Sequence, residues 1–134
     1  MPRRCTRPTS VSLALLGSAV LLLGGCASAQ RPDVEQVATR FTDPSGDPEA
    51  RCDLLTPASL ASFEQSEAAP CAEAINQLPL DSGSVQSVEI WGGEAQVRLT
   101  GDTLFLTETH SGWRVTAAGC RMHADAPYDC EVEP

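Results

Sequence analysis

The residue types best able to form covalent bonds or to hold a metal here are six cysteines and two histidines. They are Cys5, Cys26, Cys52, Cys71, Cys120 and Cys130, with His110 and His123. A thiolate is a nucleophile and a metal ligand, and in an oxidising space a thiol pair becomes a disulfide. Cys120-x-x-His123 followed by Cys130 has the spacing of half a zinc site. His110, beside Ser111, could act as a general base if a carboxylate lay near it in space. A histidine at an exposed turn without a surrounding motif is ordinarily solvated, so no catalytic residue is assigned. Asp43 and Asp47 offer oxygen ligands but lack the alternating acids of a calcium loop. No nucleophile elbow, Ser-His-Asp set or phosphate loop is present. No metal and no cofactor are expected.

The surroundings of Cys26 set its chemistry apart from that of the other cysteines. Arg3, Arg4 and Arg7 precede an apolar run over residues 11–23, which ends at Leu23-Gly24-Gly25-Cys26. Basic residues, a greasy run and small residues before a cut are the layout of a secretory signal. The run is too short for the roughly 20 residues of a membrane-spanning helix. Arg3-Arg4 has the form of a twin-arginine pair, but its flanks add nothing to that reading. Leu23-Gly24-Gly25-Cys26 resembles the lipobox of bacterial lipoproteins. The resemblance implies a diacylglyceryl group (palmitate-type chains) on the Cys26 thiol and cleavage between Gly25 and Cys26. A single acyl chain holds a protein marginally, whereas two hold it durably. The expected plan is a signal peptide over 1–25, a lipidated cysteine and tether over 26–32, and one domain over 33–134. The expected location is the extracytoplasmic face of the cell membrane, which the domain meets through its lipid anchor.

Cleavage there would leave 109 residues, enough for one modest domain with a thin core. The chain has nine arginines and no lysine. The six arginines after the leader face eighteen acids, a net charge of −12. That balance argues against nucleic acid as a partner. With Cys5 removed and Cys26 acylated, Cys52, Cys71, Cys120 and Cys130 remain, and four cysteines allow three pairings. The local pairs Cys52–Cys71 and Cys120–Cys130 are the expected ones. Cys71 lies on an apolar helical stripe, where a bridge to Cys52 would clamp two helices together, and a Cys120–Cys130 bridge would pin the C-terminus.

The elements that position these residues follow from periodicity. Asp33 has the look of an N-cap with Gln36 as its capping-box partner, and Val34, Val37, Ala38 and Phe41 share one helical face. Asp47-Pro48 opens a second helix that restarts at Thr56-Pro57 and buries Leu54, Leu55, Leu60 and Phe63. Residues 64–69 read as a loose connection. Pro70 opens a third helix, which carries Cys71, Ala74, Ile75 and Leu78. After Gly83 the period changes to two. Four strands separated by turns at Gly92-Gly93, Gly101-Asp102 and Ser111-Gly112 form an antiparallel meander. One face holds Val88, Ile90, Ala95, Val97, Leu99, Leu104, Leu106, Trp113 and Val115. Residues 121–129 read as a disulfide loop and 131–134 as a free acidic tail. The fold class is α+β: three N-terminal helices packed on a four-stranded antiparallel meander, closed by a C-terminal disulfide loop.

Helices folded over a curved meander resemble the cone of the nuclear-transport-factor-like, or ketosteroid-isomerase-like, superfamily. Gly112-Trp113-Arg114-Val115, continuing to Cys120 and then Tyr128-Asp129-Cys130, resembles the ending of small actinobacterial lipoproteins. The fold hosts many chemistries, so it implies no reaction. Only Tyr128 could supply a phenol, and it falls in the terminal loop, where its hydroxyl is expected to cap the sheet end. Strict alternation puts Trp91 and Phe105 on the sheet face away from the helices, where they could form a partner surface. Three functional expectations follow in order: a non-catalytic binding or accessory module of the cell envelope with an unidentified protein partner, a small-ligand carrier using a cone pocket, and an enzyme using His110 or His123.

Overall fold

A computed structural model describes residues 25–124 and 126–134, without the side chains of Gly25, Cys26, His123 and Ala126. Residues 1–24 of the expected signal peptide lie outside the described residues. Four α-helices come first: α1 Gly25–Thr42, α2 Pro48–Cys52, α3 Pro57–Glu67 and α4 Cys71–Ala74, the last continuing into a 3₁₀ turn at Ile75–Gln77. Strands β1 Val85–Trp91, β2 Glu94–Leu99, β3 Thr103–Thr109 and β4 Gly112–Ala117 follow. They form one antiparallel sheet in the order β1-β2-β3-β4. β5 Arg121–His123 and β6 Ala126–Asp129 pair as a separate hairpin. This is the expected α+β layout of helices on a meander.

Four local differences have physical causes. The helix expected to start at Asp33 is already formed at Gly25, the first described residue, so the expected tether is helical, with Pro32 inside it. A proline at that position has no amide to bond the carbonyl of Ser28, which leaves residues 25–31 the least supported part of the helix. The second expected helix divides into α2 and α3 because Thr56 precedes Pro57 and is extended (φ −68°, ψ 154°). Thr56 then caps α3, its hydroxyl accepting from the Ser59 amide at 3.2 Å. α3 runs on to Glu67, through the residues expected to be a loose connection. At the C-terminus the disulfide loop is a hairpin, and Val132 pairs with Ala118 and is buried, so the expected free tail is tied down.

The core lies between the helix layer and one sheet face. Phe41, Phe63, Ile75, Leu104, Leu106 and Val115 fill it with almost no exposure. The sheet residues expected to face inward do so: Ala95, Val97, Leu99, Leu104, Leu106, Trp113 and Val115 are buried, and Val88 and Ile90 pack against them from the edge. The free side of β4 is covered by residues 54–56. The Val115 amide donates to the Leu54 carbonyl at 2.8 Å, and the Thr56 amide donates to the Val115 carbonyl at 2.9 Å. Ser59 adds a hydroxyl bond to the Thr116 carbonyl at 2.7 Å. These bonds stitch the helix layer to the sheet and protect that edge from pairing with another chain.

Candidate functional site

Successive strands reverse direction, so the β1–β2 and β3–β4 turns fall at one end of the sheet. The Glu108 amide donates to the Gly93 carbonyl at 2.7 Å and ties the two turns together. Gly92 makes the first turn possible, because its φ of +61° is a conformation that L side chains rarely adopt. The start of α1 reaches the same end. Gln30 donates through Nε2 to Glu108 Oε1 at 3.1 Å. Ala27, Ser28 and Arg31 stand against Val88 and Ile90 around an open cleft of about 180 Å³. Arg31 also pairs with Glu35 at 2.8 Å within the helix. The backbone of Cys26, one helical turn earlier, therefore enters the fold beside the β1–β2 turn.

Trp91 closes β1 at this end and is 51% exposed. Phe105 lies on the same outer face, but β2 separates their strands. Phe105 is also covered: the ring of Tyr128, on β6, meets it edge-on with centroids 5.0 Å apart. The Tyr128 hydroxyl accepts from Gln96 Nε2 at 2.9 Å. The two residues expected to form a joint surface thus share a face but lie on strands that are not neighbours. The terminal hairpin half-covers Phe105 with Tyr128, while Trp91 stays exposed. Tyr128 is a lid on the outer sheet face, not a cap at the sheet end.

Both expected disulfides form, Cys52–Cys71 between α2 and α4 and Cys120–Cys130 around the terminal hairpin. The sulfurs of Cys120 and Cys130 are thereby spent, which removes the thiolate ligands of the half zinc site. Among the described residues no group of three His, Cys, Asp or Glu side chains could hold a metal. His110 is exposed in the β3–β4 turn. Among the described residues no helix is long and apolar enough to cross a membrane. Comparisons with protein-family models, with curated proteins and with solved structures found no match to this chain.

Two buried charged groups escaped sequence reasoning. Asp102, expected as an ordinary turn residue, is 7% exposed at the opposite end of the sheet. Its Oδ1 accepts from the Thr103 amide at 2.7 Å, while its buried Oδ2 has no partner among the described residues. Burial raises its pKa, against the opposing pull of the Thr103, Asp81 and Cys120 amides and of Arg121. Arg51 is buried at the base of a cleft of about 240 Å³ that Asp43 and Asp47 also line. Its Nε donates to the Phe41 carbonyl and its Nη1 to Asn76 Oδ1, both at 2.8 Å. Burial lowers its pKa, opposed by the charge of Asp43. The guanidinium thus clamps the end of α1 to the 3₁₀ turn. The Arg in Glu-Ala-Arg-Cys gave one signal, since it sits beside a core cysteine on a five-residue helix with little surface to spare.

Proposed function

We propose that this chain is a lipoprotein of the cell envelope, anchored on the extracytoplasmic face of the membrane through an acylated Cys26. The mature domain acts there as a non-catalytic binding or accessory module. The observation that carries this reading is Leu23-Gly24-Gly25-Cys26 at the end of a short apolar run behind three arginines. Two further observations support it. The four downstream cysteines pair among themselves, a use of cysteine suited to an oxidising space outside the cytoplasm. The pairing also leaves Cys26 with no role in stapling the domain. The residues most capable of chemistry are dispersed, with His110 at one end of the sheet, Asp102 at the other and Arg51 in the helix layer.

Intact mass measurement of detergent-extracted protein tests the anchor. The expected species starts at Cys26, carries a diacylglyceryl group and has no free thiol. Cys26→Ser should abolish the lipid mass and leave the leader, with its apolar run over residues 11–23, uncut. A Cys26→Ser protein whose leader is removed as in the native protein would take the anchor out of this reading.

A further inference from the structure

We propose that Trp91 is the foot on which the anchored domain stands, its indole seated in the headgroup layer of the same bilayer that holds Cys26. This rests on the acylation of Cys26 proposed above. Because Cys26 already lies within α1, no slack chain separates the acylated residue from the fold. Eight helical steps lead from Cys26 to Val34, the first fully buried residue of the helix, a rise of about 12 Å. An anchor that short brings the end of the domain beside it to the membrane surface.

The end beside it is known. Gln30 is bonded to Glu108, the Glu108 amide to Gly93, and Ala27 faces Val88 and Ile90. Trp91 is the next residue along β1 and the last before the turn. Isolated exposed apolar residues are common on soluble proteins, so exposure alone would carry nothing. Position carries the argument. Among the described residues the large exposed hydrophobics are Trp91 and Met122, and Met122 lies on the β5–β6 hairpin, away from the anchor end. Tryptophan pairs a broad apolar body with an indole N–H, the combination that settles at the boundary of headgroups and acyl chains. The residues around it restrict the kind of surface. Glu89, Glu94 and Glu108 are exposed near this end, against the exposed Arg31, itself paired with Glu35, and the half-buried Arg114. That balance gives no attraction to anionic lipid, so the contact is interfacial and apolar and suits a zwitterionic headgroup layer.

The test uses full-length acylated protein, purified from membranes and reconstituted into phosphatidylcholine vesicles brominated at shallow or deep acyl positions. Trp113 is only 5% exposed and serves as the silent internal reference. The expected result is quenching of the Trp91 emission relative to unbrominated vesicles, stronger with shallow than with deep bromines. Trp91→Phe, which keeps Trp113, should lose the quenching. Intact mass on the same sample separates the two claims. A Cys26 without acyl chains overturns both the anchor and the foot. An acylated protein whose quenching equals that of Trp91→Phe overturns the foot alone and leaves the indole to a protein partner.

Discussion

The two ends of the sheet are built by opposite means. At the end carrying the β2–β3 turn, order is covalent and buried. Cys120–Cys130 closes the terminal hairpin, Val132 exchanges two backbone bonds with Ala118, and Asp102 is sunk beneath the turn. The side chain of Asp81 lies so close over Gly101 that a Cβ there would collide with it. At the other end, two turns and the start of α1 meet through a few exposed hydrogen bonds, and Pro32 interrupts the helix that arrives there. The difference shows where the stability of a thin core is concentrated. The disulfide end needs staples because its segments are short and polar. The end beside Cys26 can open locally without disturbing Phe41 or Leu106, since few buried groups depend on it.

The sharpest way to break the contrast is to remove the staple. Cys120→Ser with Cys130→Ser opens a loop spanning a sequence separation of 10. In the chain-entropy picture this costs roughly 3 kcal/mol, a large part of the stability of a small domain. Urea unfolding should show a lower midpoint, and Phe105 should become accessible as Tyr128 comes away. An unchanged midpoint would mean that pairing of Val132 and packing of Tyr128 suffice.

A smaller effect, at the same end, comes from Asp102. Its carboxyl pKa is raised in the folded protein by burial. The folded state therefore holds the proton to higher pH than the unfolded chain. This site favours folding below the ordinary carboxyl range, and its contribution is lost as pH rises through the raised folded value. Asp102→Asn removes the titration. The variant should gain on the native protein as pH climbs through that window, and the two should run parallel above it. Asp43 has the opposite sign, because hydrogen bonds from the Ser45 hydroxyl and amide lower its pKa, so its contribution fades only as pH falls. Urea midpoints across acid to neutral pH separate the two. A variant with the slope of the native protein would show that Asp102 is not the group that titrates.

This contrast also marks what the residues reveal by themselves. The sheet was legible because alternation along Ala95, Val97 and Leu99, or Leu104 and Leu106, is imposed by the pleat and needs no partner to be seen. Both disulfides were legible because the cysteines sit close in sequence on elements already read. What depended on a distant partner was not. Nothing near Tyr128 says that it will cover Phe105, and Val132 sits in an acidic stretch that reads as solvated. Asp102 reads as a turn former, and only the convergence of three chain segments buries it. The first described turns of α1 differ from expectation for the converse reason. Asp33 with Gln36 is a strong local signal for a helix beginning, and tertiary contact with β1 and Glu108 carries the helix past it.

That extension supplies the smallest predicted effect, and one that sharpens the comparison. If contact at Glu108 and β1 holds residues 25–31 helical, Gln30→Ala should change global stability by less than about 0.5 kcal/mol, as an exposed site does. Yet it should raise amide hydrogen exchange over residues 27–31 severalfold, while exchange in β3 and β4 stays as it was. Pro32→Ala should act in the reverse direction, because alanine fits a helix interior better than proline. The pair distinguishes a helix held by its partners from one held by its own backbone. If Gln30→Ala left exchange untouched, the first turns would owe their order to the cleft with Val88 and Ile90, and the short, stiff link between Cys26 and the fold would rest on apolar packing alone.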